Sequence, residues 1–151
     1  MIGGLIVRSV VKEKKYRQHK KAHKSVACNF CNLVENDDNQ IIEQTKHHTI
    51  IKNQFSYDLW DGCGVTEHLL IIPKRHVTSL AELSKDELAD YLNQIVRFEA
   101  KNYSVYARAP GNGTKSVAHQ HTHLIKINNK PRKFLVYLRL QIGRASCRER
   151  V

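Results

Sequence analysis

The chain has no long apolar run. No stretch in its 151 residues approaches the roughly 20 apolar residues needed to span a bilayer, which excludes a membrane-spanning helix. The opening segment, Met1 to Val7, lacks a basic start and is short for a secretory signal. A soluble, cytoplasmic protein is expected. There is no internal repeat, and the length suits one domain with a real core. Acidic residues are scarce, at 14 against 25 Lys and Arg, which leaves a net charge of +11. Cysteine is scarce too, at four. Two of these form the C-x-x-C pair Cys28-Asn29-Phe30-Cys31. In a cytosolic chain that spacing points to metal or redox chemistry rather than to a disulfide framework.

Much of the positive charge is local. Between Lys12 and Lys24 there are seven Lys or Arg and one acid, Glu13, with Arg8 just upstream. Residues 1–27 therefore form a basic N-terminal segment with helical character. It reads either as a phosphate-binding helix for nucleic acid or as a solvated basic helix. At the other end, Ile142 to Val151 resembles no structural element. It matches, residue for residue, a translation of a common short-read sequencing adapter. Residues 142–151 are expected to be a non-native tail and are left out of the fold reading.

Between these segments, residues 28–141 read as one α+β domain with a mainly antiparallel sheet. The C-x-x-C turn is followed by a polar turn at Asn36 to Asn39 and strands at Ile41 to Gln44 and His48 to Lys52. Asp61-Gly62-Cys63-Gly64 reads as a loop. Leu69-Leu70-Ile71-Ile72 is apolar on both faces and reads as a central strand ended by Pro73. Ser84-Lys85-Asp86-Glu87 has the form of a capping box. Leu88, Leu92 and Ile95, widened by Tyr91 and Val96, predict one long helix over Lys85 to Lys101 with an apolar core face. Strands at Tyr103 to Ala107, through the histidine segment and at Lys133 to Leu140 complete the pattern.

The chemistry concentrates in Ser116-Val117-Ala118-His119-Gln120-His121-Thr122-His123-Leu124-Ile125. In a strand, alternate side chains share a face, so His119, His121 and His123 would line one face together. Each is a potential nucleophile, proton carrier or metal ligand near neutral pH. Just upstream, Gly113-Thr114-Lys115-Ser116 offers small residues, a cation and a hydroxyl for phosphate. Arg108 adds a planar cation with bidentate geometry. Together these residues suggest attack on a phosphorus centre.

Here the chain resembles the histidine-triad family, whose motif is H-x-H-x-H. Three further segments match: Cys28-x-x-Cys31, the stretch His68-Leu69-Leu70-Ile71-Ile72-Pro73-Lys74-Arg75-His76, and Ser116 three residues before His119. The likeness runs from about Cys28 to Lys126, in family order. It implies a HIT-like fold with about five antiparallel strands, and a homodimer. It also implies a nucleotidyl hydrolase or transferase that cleaves an α-phosphate linkage of a nucleotide or dinucleotide through a nucleotidyl-histidine. His121 would be the nucleophile, with His123 and Ser116 binding phosphoryl oxygens. The zinc-containing branch, related to hexose-1-phosphate uridylyltransferases, implies structural zinc on Cys28, Cys31, His76 and His119. His47 and His48 are the alternative ligands. Asn53 and Phe55 resemble a nucleoside-contacting strand end, with Tyr57, Asp58, Trp60 and Asp61 as neighbours. Arg108 and Lys115 complete the substrate-binding set.

Two departures stand out. Gln120 and Thr122 are polar where the family prefers apolar residues, and both should face away from the site. Arg108 stands where many members carry a phosphate-contacting asparagine, and its charge should favour a more anionic substrate or leaving group. Two other functional readings stay open. One is a zinc-stabilised nucleotide- or RNA-binding module without turnover. The other is a nucleic-acid end-processing enzyme that uses the basic segment.

Overall fold

The computed structural model describes residues 7–22, 28–35 and 39–131. In chain order the elements are α1 (Val10–Ala22), α2 (Asn29–Glu35), β1 (Ile41–Gln44), β2 (His48–Lys52), β3 (Leu59–Trp60), β4 (Cys63–Pro73), a 3-10 turn (Leu80–Glu82), α3 (Lys85–Glu99), β5 (Ser104–Ala107) and β6 (Thr122–Pro131). The strands form one antiparallel sheet in the order β1-β2-β4-β6-β5, with β3 paired to β4. The expected α+β architecture is present.

The central strand is buried on both sides because both faces are covered. On one face Ile50, Leu69, Ile71 and Leu124 pack with Tyr91, Phe98 and Tyr103, under α3. On the other, Ile51, Leu70 and Ile72 pack with Phe30 and Leu33 of α2 and with Ile41. Strand alternation sends consecutive apolar residues to opposite cores. Ile71 is 1 % exposed, and truncating it to alanine would cost roughly 2–5 kcal/mol. Tyr57, Trp60 and Ile125 form a third cluster at the β3 end of the sheet.

Helix α3 starts as its capping box requires. Ser84 accepts a hydrogen bond from the Glu87 amide, and the Glu87 side chain accepts one from the Ser84 amide. The helix ends at Glu99, two residues before the expected Lys101. Its buried face also differs from the expected stripe. Glu87, Tyr91, Gln94 and Phe98 are buried, whereas Leu92 and Val96 are exposed at 57 % and 64 %. The larger aromatic rings set the rotation, and Leu88 and Ile95 fall on its flanks.

Three other expectations change. The segment Asp61 to Gly64 is not a loop: β3 and β4 meet at a two-residue turn of Asp61 and Gly62, with φ of 50° and 75°. Positive φ at both positions is the requirement of a type I′ hairpin. The C-x-x-C pair is the entry to a helix, because Cys31 lies in the first turn of α2 and the Asn32 amide bonds the Cys28 carbonyl at 3.1 Å. The histidine segment is only partly strand. Strand β6 begins at Thr122, so His123 alone of the three sits in the ladder. The expected strand at Lys133 to Leu140, part of the turn at Asn36 to Asn39, and residues 142–151 lie outside the described residues.

Helix α1 buries no residue of its own. It is seated at its start. Val7 bridges Leu59, the Ser9 amide reaches Asp58 at 2.6 Å, and the Lys12 ammonium reaches Asp58 at 2.5 Å. Burial raises the Asp58 carboxyl, but hydrogen bonds from Lys12 and Ser9 outweigh that and hold it below its ordinary value.

Candidate active site

Sheet register brings the histidines together. Leu70 on β4 faces His123 on β6, and His68 faces Ile125. Residues paired side by side share a face, so His68 and His123 project toward the α2 side of the sheet. His119, His121 and His123 are all buried, at 0 %, 6 % and 6 % exposure.

His119 joins Cys28, Cys31 and His76 in one cluster whose ligand atoms all lie within 4.8 Å of one another. Cys28 Sγ is 3.4 Å from His119 Nδ1, Cys31 Sγ is 3.3 Å from His76 Nδ1, and Cys31 Sγ is 3.6 Å from His119 Nδ1. Around a tetrahedral ion with metal–sulfur near 2.3 Å and metal–nitrogen near 2.05 Å, sulfur-to-nitrogen edges come to about 3.6 Å. The donor set therefore fits a four-coordinate ion at the ligand distances of zinc. The tautomer fits as well. His119 Nε2 lies 3.0 Å from the Pro73 carbonyl, so it carries the proton and leaves the Nδ1 lone pair for a metal. Burial depresses the His119 imidazole to about 4 from its ordinary 6.5. His48 serves another purpose. Its Nδ1 meets the Asp90 carboxylate at 3.1 Å, where Thr45 and the His47 amide also bond.

His121 has one ring nitrogen committed. Its Nδ1 lies 2.9 Å from the His119 carbonyl and must donate. The Nε2 lone pair is left without a protein partner among the described residues. Burial lowers its pKa, and the Lys115 and Arg108 charges add to that effect. A neutral imidazole is the form that can attack an electrophile.

His123 has the complementary arrangement. The Tyr57 amide donates to His68 Nδ1 at 3.2 Å, which places the His68 proton on Nε2. That nitrogen lies 2.9 Å from His123 Nδ1 and donates to it. The His123 proton is therefore on Nε2, as a donor. Burial takes His68 to about 3, with Arg8 adding to the effect, and burial pushes His123 well below 6.5. Two neighbouring imidazoles thus present opposite faces, one a lone pair and one an N–H.

Two cavities meet at this pair. The larger, about 420 Å³, is lined by Asn53, Phe55, Ile51, Leu70, Phe30 and Leu33, among others, and by Ser116, His121 and His123. The smaller, about 270 Å³, shares Arg8, Tyr16, Ser116, His121 and His123 and adds Tyr57, Arg108 and Thr114. The structure thus brings Ser116, Asn53, Phe55 and Arg108 to the walls around the histidines. Asn53 Oδ1 accepts the Phe55 amide at 2.9 Å, and its side-chain amide sits against the His68 ring. Lys115 turns elsewhere: its ammonium donates to the Thr78 carbonyl at 2.8 Å and to Gln120 Oε1 at 2.7 Å. It lines neither cavity. Of the neighbours, Tyr57 and Trp60 are buried in the third core cluster, and Asp58 anchors α1.

Gln120 and Thr122 do face away from the cavities. Gln120 takes the Lys115 ammonium, and Thr122 Oγ1 lies 2.9 Å from the Tyr91 hydroxyl. Each buried polar atom in this pair of contacts has a partner, which is what makes polar residues tolerable there.

Sequence reasoning missed Arg8 and Tyr16. Both line the two cavities although they precede the C-x-x-C pair. Arg8 Nε donates to the Phe55 carbonyl at 3.0 Å, 47 residues away. No linear pattern announces such a contact. His68 was visible as the first residue of a family motif, but its role as the partner of His123 needed the register.

An antiparallel sheet with a histidine cluster at the junction of β4 and β6 defines an α+β fold with solved relatives. A HIT family hydrolase from Clostridium thermocellum is 20% identical, with a TM-score of 0.52 over 74% of this chain and 100% of that one. A HIT family hydrolase from Legionella pneumophila is 19% identical, with a TM-score of 0.50 over 72% of this chain and 97% of that one. A zinc-bound histidine triad family protein from Mycobacterium smegmatis is 20% identical, with a TM-score of 0.52 over 68% and 76% of the two chains. No curated protein matches the chain. The HIT domain family matches residues 34–130, well over half the sequence, and the chain belongs to that family.

Proposed function

We propose that the protein is a nucleotidyl hydrolase or transferase that works through a nucleotidyl-His121 intermediate. One observation carries this reading: the His121 Nδ1 bond to the His119 carbonyl leaves a neutral Nε2 lone pair at the cavity wall. The Nε2 lone pair forms a bond to the α-phosphorus while the bond from phosphorus to the leaving group breaks. Water or another acceptor then attacks phosphorus, the P–N bond breaks, and neutral His121 returns. The His123 Nε2–H and the Ser116 hydroxyl donate to phosphoryl oxygens as negative charge builds there. Asn53 and Phe55 serve the nucleoside in the larger cavity, and Arg108 serves phosphate in the smaller.

Cys28, Cys31, His76 and His119 would hold a structural zinc ion. Bound there, zinc supplies a tether between the α2 entry and the segment that carries His121. A cytoplasmic homodimer belongs to the same reading. No helix among the described residues is long and apolar enough to cross a membrane.

A panel of nucleotide derivatives that varies base and leaving group tests the activity. Turnover by the wild type and none by His121→Ala is expected. The rival reading is a binding module without turnover, favoured by the exposed lysines of α1. It predicts nucleotide binding with no turnover on any member of the panel.

A further inference from the structure

An α-phosphorus under attack at His121 carries two substituents that need room, the nucleoside and the leaving group. Two cavities meet at His121, His123 and Ser116. The larger has the apolar wall that suits a base, with Ile51, Leu70, Phe30 and Phe55. The smaller is different in kind. Its wall holds two guanidinium groups, Arg8 and Arg108, the aliphatic hydroxyls of Thr114 and Ser116, the rings of Tyr16 and Tyr57 and, among the described residues, no carboxylate.

Both arginines are held in place. Arg8 gives Nε to the Phe55 carbonyl at 3.0 Å and lies over two rings, Tyr16 at 4.5 Å and Tyr57 at 4.8 Å. Its contact with Glu13 is long, at 3.5 Å, and Glu13 also bonds Arg17 at 2.9 Å. Arg108 bonds Thr114 and lies 5.3 Å from the Tyr106 ring centroid. Stacked guanidiniums keep their forked donors aimed without a further ordering cost when an anion arrives.

We propose that Arg8 and Arg108 form an anion subsite on the leaving-group side of His121, which selects leaving groups that carry phosphate over amine leaving groups. This rests on the nucleotidyl-His121 reading and makes Arg8, from the segment before the Cys28–Cys31 pair, a specificity residue. The step balances without a proton donor. The P–N bond forms at His121 Nε2, the phosphoanhydride P–O bond breaks, and the electron pair leaves on a phosphate oxygen. Phosphate is stable as an anion near neutrality, since its second pKa is about 6. An amine leaving group needs a proton at nitrogen as the P–N bond breaks. Two fixed cations favour the first departure and repel a protonated amine in the second.

Two measurements test this, one of them independent of turnover. The first is calorimetric binding of inorganic pyrophosphate to the full chain carrying His121→Ala, alone and combined with Arg8→Met or Arg108→Met. Each added substitution should weaken binding about tenfold or more. Thr114 and Tyr106, the partners that hold Arg108, both lie outside α1, so its variant keeps the test decisive if Arg8→Met loosens the helix. The double variant Lys14→Met/Lys15→Met, exposed on α1, serves as the control for overall charge and should weaken binding less than threefold. The second measurement is the ratio of kcat/KM for a dinucleoside triphosphate to that for a 5′-phosphoramidate of the same nucleoside. Arg8→Met and Arg108→Met should each lower this ratio about tenfold. Unchanged pyrophosphate affinity in both arginine variants overturns the subsite, as does an equal loss in the lysine control or an unchanged ratio. Absence of turnover in the wild type would overturn the enzymatic reading, while pyrophosphate binding still reports on the subsite.

Discussion

The carbonyl oxygen of His119 lies 2.9 Å from Nδ1 of His121, so a residue of the cysteine–histidine cluster orients the proposed nucleophile through its own backbone. The cysteine–histidine cluster and the His121 imidazole are thus joined through one backbone bond. Whatever tethers His119 also fixes which nitrogen of His121 is free.

Removing the metal should therefore cost activity as well as stability. Wild-type protein should contain about one zinc per chain, and His119→Ala or Cys28→Ser should lower that several-fold. Both variants should also melt at lower temperature and turn over more slowly. Elemental analysis beside thermal melting checks this. A metal-depleted protein with the melting point and activity of the wild type would contradict it.

His68 makes stability depend on pH. Its folded pKa is about 3, below the ordinary 6.5, mainly through burial. Above 6.5 both folded and unfolded chains hold it neutral, and its contribution is intact. As pH falls below 6.5 the unfolded chain takes up a proton that the folded chain refuses until about 3. Stability thus drops with falling pH across that window, by roughly 1.4 kcal/mol per unit for one such group. Urea unfolding between pH 7 and pH 4 should show the decline. A His68→Asn variant should show a shallower one, and identical slopes would remove His68 as the cause.

The Tyr91–Thr122 pair explains how a polar residue is accommodated between two triad histidines. Tyr91→Phe alone leaves the buried Thr122 hydroxyl unpaired and should cost about 1–3 kcal/mol, as should Thr122→Val. The double variant should cost less than the sum, because both ends of the bond are then absent. Additive losses in chemical denaturation would show that the contact at 2.9 Å contributes little.

Local chemistry was the legible part of this chain. The capping box at Ser84 and Glu87, the doubly apolar run Leu69 to Ile72 and the Cys28–Cys31 pair each announce themselves by spacing, whereas His76 and His119 were joined to that pair by the family resemblance alone. What spacing could not show was set by distant contacts. The rotation of α3 follows Tyr91 and Phe98 packing on the sheet, not the count of apolar residues. Lys115 looked available for phosphate, but Gln120, five residues on, takes its charge. Arg8 looked like one more cation in a basic segment. The bridge from Val7 to Leu59 and the bond from its own Nε to the Phe55 carbonyl carry it to the histidines.

The covalent intermediate proposed on His121 can be trapped. Brief exposure of the wild type to a nucleotide derivative, acid quench and peptide mass spectrometry would measure it directly. A nucleotidyl mass increment on the peptide bearing His121, absent in His121→Ala, is the expected result. Multiple turnovers with no increment at any quench time, or an increment that persists in His121→Ala, would contradict the account.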